Sequence, residues 1–193
     1  MDDFDAFWGG IASLAGPSRL ALLPPFAALL RLARPLSLRA TAMWAACFCI
    51  GFAASLGTLE LFGIGAASAW GWIVLAAGLG LASYGLAATG AFGAPHPPGP
   101  AMAAVLGACL AFGATPFRGP ILQATDALWL YALGACLGTV AAATTLRPLL
   151  ARGPEPVFCG VALMATGGLI AIGAYAGFGF ALIEWVPALA QLG

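Results

Sequence analysis

Between Arg39 and Arg118 the chain carries one charged residue, Glu60. A water-soluble globule cannot be built on such a stretch, because its surface needs polar groups along every element. The whole chain has the same character, with 7% charged residues where soluble domains carry about 25%. Lipid is the solvent that this composition implies. In lipid each backbone amide must be satisfied within its own segment, so the apolar runs are expected to be helices. The predicted fold is all-α: a polytopic transmembrane helix bundle forming one domain over residues 1–193. At roughly 20 residues per span the length allows about five or six helices.

Five clear spans are read along the chain. Span A runs from about Thr41 to Leu59 and span B from about Ala69 to Phe92. Span C runs from about Pro100 to Thr115, span D from about Ala127 to Leu146, and span E from about Val157 to Phe180. Residues 1–40 form a broken hydrophobic segment, and residues 41–193 hold the bundle. The breaks fall at Gly16-Pro17-Ser18-Arg19 and at Pro24-Pro25, since proline inside a helix removes a backbone bond and crowds the preceding turn. A short interfacial or half-inserted helix is therefore expected first, then a second piece from about Phe26 to Leu32. The acids Asp2, Asp3 and Asp5 make the start negative, opposite to the basic start of a secretory leader.

The few charges sort by side. Arg31, Arg34 and Arg39 precede span A, and Arg147 and Arg152 follow span D. The links on the other side hold Glu60, Arg118 and Asp126. Arginine-rich links face the cytoplasm, which also puts the segment from Gly93 to Gly99 on that side. Trp70, Trp72, Trp129 and Trp185 then fall near the outer interface, where amphipathic rings are favoured. This patterning predicts a multi-pass protein of the bacterial cytoplasmic (inner) membrane.

Two glycine pairs, Gly134-x-x-x-Gly138 in D and Gly173-x-x-x-Gly177 in E, have the spacing that lets helix backbones approach closely. The five cysteines lie in apolar stretches without a CxxC pair, which reads as small core residues. With no lysine and a net charge of zero, the chain offers no basic patch for nucleic acid. No serine-nucleophile, zinc or phosphate-loop motif occurs. No carboxylate falls in the middle of a span, where an ionisable group would point to function. An enzyme is not expected, nor is a metal or other cofactor.

The most distinctive string is Ala94-Pro95-His96-Pro97-Pro98-Gly99-Pro100-Ala101, with the only histidine of the chain. Proline suits the first turn of a helix, and the free amides at the start of span C attract anions. His96 beside them adds a switchable charge. The string is either an anion or proton site at a helix start, or a rigid proline turn with an incidental histidine. Arg39 either snorkels at the interface or shares a cavity with His96. Arg118, in Phe117-Arg118-Gly119-Pro120, either pairs with Asp126 or recruits an anion on the outer side.

Three strings in this order resemble the HPP family of bacterial and plastid membrane proteins. They are Pro24-Pro25-Phe26-Ala27-Ala28, Pro35-Leu36-Ser37-Leu38-Arg39, and His96-Pro97-Pro98, the last resembling the motif that names the family. The resemblance covers about residues 20–150, and the tail from Gly153 has no counterpart in it. Some plastid and cyanobacterial members are linked to nitrite transport. The resemblance therefore implies a small-anion transporter or channel, with Arg39 and His96 as binding residues and Pro25, Phe26, Pro97 and Pro98 as motif positions. A different reading is a non-catalytic subunit or assembly partner of a larger membrane complex, to which the small-residue faces and the lack of buried ionisable groups both point. The partners expected are the lipid bilayer, further copies of the chain or a larger complex, and a small inorganic anion.

Overall fold

A computed structural model describes residues 3–12, 17–33, 37–61, 67–93, 97–114, 128–151, 155–175 and 181. Among these residues the chain is all helical. The elements are α1 (Asp3–Ala12), α2 (Pro17–Ala33), α3 (Leu38–Leu61), α4 (Ala67–Ala88), α5 (Pro100–Ala114), α6 (Leu128–Ala151) and α7 (Pro156–Ala171).

Three helices are long and apolar enough to cross a membrane, over Leu38–Ser55, Gly71–Ala88 and Leu130–Leu149. They are expected spans A, B and D. The expected spans C and E correspond to shorter helices. α5 has 15 residues and α7 has 16, which at 1.5 Å per residue gives about 22 and 24 Å, against a hydrocarbon core of about 30 Å. Among the described residues, three helices reach spanning length where five were expected.

The stop of α7 has a local cause. Gly173 adopts a left-handed φ of +70°. Its N–H donates to the Ile170 carbonyl (2.9 Å), and the Ala174 N–H donates to the Leu169 carbonyl (2.9 Å). This pair of bonds is a Schellman motif, which satisfies the last carbonyls and ends the helix. Gly173 was expected to pack inside span E; it terminates α7 instead. Gly90, at φ +87°, turns the chain just after α4, whose last residue, Ala88, lies four residues before the expected limit at Phe92.

The second expected break also differs. α2 runs without interruption through Pro24 and Pro25. Each proline forfeits one backbone bond, but α2 packs against α6 and α7, and Pro25 is fully buried. Tertiary contact holds the helix where local sequence would break it. Of the first expected break, Gly16 lies outside the described residues, whereas Pro17, Ser18 and Arg19 open α2; α1 and α2 are separate helices on either side of residues 13–16.

Large apolar residues are exposed along the spanning helices, among them Ile50, Trp72, Leu79, Leu86, Leu133 and Leu137. Helices apolar around their whole circumference suit a lipid surface. The core carries its own apolar set, with Leu29, Leu30, Leu81, Leu110, Leu163 and Ile170 fully buried. Buried hydroxyls are satisfied one turn back. Thr41 donates to the Ser37 carbonyl, Ser55 to Gly51, Thr139 to Ala135 and Thr166 to Ala162, at 2.7–3.0 Å. These bonds remove the cost of unmet polar groups in an apolar medium.

Glycines set the helix pairs. α4 and α7 are antiparallel: Gly78 lies against Gly167, and Gly85 against Gly160. A Cβ on Gly85 would stand 2.7 Å from the Gly160 carbonyl oxygen, and one on Gly160 would stand 2.6 Å from that of Gly85. Only a missing side chain permits such an approach. α3 and α5 cross where Gly51 meets Ala104 and Gly107 meets the Phe48 carbonyl. α1 and α6 cross where Gly10 meets Tyr131 and Gly134 meets Phe7. The expected role of Gly134 as a packing glycine is thereby met by α1.

Candidate functional site

The packing gathers six helix ends at one end of the bundle. Trp44, near the start of α3, meets Pro98 just before α5. Gly80 of α4 faces Cys109 of α5, so these two helices form a hairpin whose turn lies beside Pro98. Gly160, early in α7, lies against Thr89 at the end of α4. Arg31, in the last turn of α2, is close enough to Cys159 for its guanidinium to act on that sulfur electrostatically. Arg147 lies near the end of α6, which a short link joins to α7.

At this end Trp44 holds two distant strings together. Its indole N–H donates to the Pro98 carbonyl at 3.0 Å, in a buried bond spanning 54 positions of sequence. Phe26 of α2 packs on the other side, its ring 6.1 Å from Trp44 and 5.1 Å from Phe48, edge-on to the latter. Trp44, Phe48 and Phe52 are four residues apart, so helical periodicity puts them on one face of α3. Their rings follow each other at 5.8 and 6.4 Å with small interplanar angles. All four aromatic residues are buried. The proline–phenylalanine string of α2 and the histidine–proline string before α5 therefore meet on one aromatic ladder.

The start of α3 is built by Ser37. Its Oγ accepts the Ala40 N–H at 3.1 Å, an N-cap bond that supplies one of the orphan amides of the first turn. Arg39 lies in that turn and is exposed. Pro97 is exposed, whereas Pro98, Pro25 and Phe26 are buried. His96 and Arg118 lie outside the described residues. Of the expected site residues, then, the structure brings Phe26 and Pro98 together through Trp44, and places Arg39 at the surface of the same end.

Arg31 adds a feature that its sequence position did not single out. Its side chain is half-buried, and its Nε is buried with no hydrogen-bond partner among the described residues. A donor on a permanent cation left unmet in an apolar setting costs about 1–3 kcal/mol or more. Such a donor calls for an acceptor. Chemically, this end of the protein offers an anion a buried N–H on Arg31, the exposed Arg39 at the start of α3, and a rigid aromatic wall. The described residues contain no group of three His, Cys, Asp or Glu placed to hold a metal.

Trp44 also escaped the sequence reading. The signal that marks it is a tryptophan near the start of span A, apart from the four at the outer interface, whose N–H needs a protein acceptor when buried. Comparison with known proteins returns no match: no family model, no curated protein and no solved structure aligns significantly with this chain.

Proposed function

We propose that this chain is a multi-pass protein of the bacterial cytoplasmic membrane that passes or binds a small inorganic anion of the nitrite type. The observation that carries the reading is Arg31 Nε, a buried cationic donor with no partner among the described residues. An oxyanion accepts such a bond and neutralises the charge in the same step. The arginine-rich end is the cytoplasmic one by the positive-inside rule, and Arg39 there raises the local anion concentration. His96 and Arg118 serve as further contacts on this reading. The likeness of the three proline strings to the HPP family supports the same substrate class.

Proteoliposomes loaded with nitrite test this directly. Wild-type protein is expected to give anion flux above empty liposomes. Arg31→Gln removes a charge-assisted bond worth about 1.5–3 kcal/mol, a loss of roughly ten-fold or more in affinity. Flux that is unchanged when Arg31, Arg39 and His96 are all replaced overturns the site. A second reading, a subunit of a larger membrane complex, is favoured by α7. That helix ends at Ala171, short of a full crossing, and exposes Val157, Phe158 and Val161 to any neighbour. Gentle extraction that returns only a lone monomer counts against it.

A further inference from the structure

α2 is closed on most of its circumference and open on one strip. Over residues 22–32 only Leu23, Pro24, Ala27 and Arg31 are not buried. Leu23, Ala27 and Arg31 follow each other at intervals of four, so the helical period puts them on one face. The strip is apolar from Leu23 to Ala27 and ends on a cation in the last turn of the helix. From Leu23 to Arg31 it measures about 12 Å at 1.5 Å per residue. The rest of α2 is committed to the core, where Phe26, Leu29, Leu30 and Leu32 are buried and the helix packs against α6 and α7.

We infer that this strip binds an anionic phospholipid, with the headgroup phosphodiester at Arg31 and an acyl chain over Ala27, Pro24 and Leu23. Arg31 Nε is buried and has no hydrogen-bond partner among the described residues, which costs free energy until an acceptor arrives. A phosphodiester oxygen is such an acceptor, and a charge-assisted bond is stronger than a neutral one. The positive-inside rule turns this arginine-rich end to the cytoplasm, where the anionic leaflet surface attracts basic groups. Beyond Arg31 the strip offers hydrocarbon and no hydrogen-bonding side chain, which suits an acyl chain and not a sugar, nucleotide or peptide. A small inorganic anion would fill the donor and leave the apolar strip unused; a phospholipid uses both. The lipid therefore holds Arg31 in the resting membrane, and a small anion must displace it to occupy the site. That competition rests on the anion reading proposed above, whereas the lipid contact itself does not.

Native mass spectrometry of the full chain, stripped of lipid in mild detergent, reads the site. Dioleoylphosphatidylglycerol is expected to bind as one tight equivalent, about ten-fold tighter than dioleoylphosphatidylcholine, whose choline offsets the phosphate charge. This comparison uses the unaltered protein, so it stands whether or not a variant folds. Arg31→Gln is expected to lose the preference. Arg31→Lys keeps the charge without the Nε donor and is expected to hold an intermediate preference. Arg19→Gln, in the first turn of α2 at its other end, is expected to bind as wild type does. Inorganic phosphate at the same concentration as the lipid is expected not to displace it, because it gains nothing from the strip. Equal affinity for the two lipids, a preference that survives in Arg31→Gln, or displacement by equimolar phosphate overturns the lipid site. Nitrite flux that depends on Arg31 in a protein without the lipid preference leaves the anion reading standing alone, and a lipid preference without flux does the reverse.

Discussion

Alanine at Gly167 and alanine at Gly168 are expected to shift stability in opposite directions, although the two positions are adjacent on α7. A Cβ at Gly167 would lie 2.5 Å from the Ala82 nitrogen and 2.5 Å from the Gly78 carbonyl oxygen, both backbone atoms of α4. Ordinary Cβ contacts begin near 3.4 Å, and backbone cannot swing aside as a side chain can. The helices must therefore part by roughly 1 Å, a gap that forfeits a quarter to a half of each dispersion contact along the crossing. Overpacking of this kind costs about 1–3 kcal/mol. Alanine returns up to about 1 kcal/mol through its higher helix propensity, which leaves a net loss of up to about 2 kcal/mol for Gly167→Ala. A Cβ at Gly168 meets nothing within 4 Å. There the propensity gain stands alone, and Gly168→Ala is expected to be more stable than wild type by about 0.5–1 kcal/mol. Titration of bicelle-reconstituted protein with sodium dodecyl sulfate, followed by circular dichroism, measures both. Gly167→Ala that unfolds at the same or a higher detergent fraction than Gly168→Ala refutes the packing argument.

Trp44→Phe keeps a ring on the ladder but removes the donor to the Pro98 carbonyl. The stranded buried acceptor is expected to cost about 1–3 kcal/mol in the same titration, and an unchanged midpoint would mean that the bond is not made in the membrane. Gly173→Ala forces an L residue to a φ of +70° and is expected to cost about 1–2 kcal/mol, although no atom obstructs the new methyl. The measurement that separates strain from packing is Gly173→Asn, since asparagine tolerates that conformation and is expected to recover most of the loss.

The helical class and the starts of α3 to α7 were legible because lipid imposes simple rules. Apolar runs must be helices, and Pro100 and Pro156 mark helix starts by the same chemistry in any setting. The ends were harder. Gly90 and Gly173 stop their helices through a left-handed φ, while Gly85 and Gly167 let helices touch, and a glycine in sequence carries no mark of which it does. Pro24 and Pro25 read as a break because the contacts of α2 with α6 and α7 are not visible locally. At the candidate site, the proline strings themselves were legible in the sequence. Their meeting point did not emerge, because it depends on Trp44, whose acceptor lies 54 positions away. Arg31 read as one of several topology-setting charges; its buried Nε follows only from packing.

The Trp44–Pro98 bond carries a consequence for how the chain is made. During synthesis α2 and α3 leave the ribosome before α5, and the indole donor lacks this acceptor until the segment before α5 follows. α1 waits longer, because the groove that seats Gly10 belongs to α6. Until Pro98 arrives, an unmet polar group sits in an apolar surface, which costs free energy. A chain stalled or truncated before α5 should then be short-lived, and one that has passed it should persist.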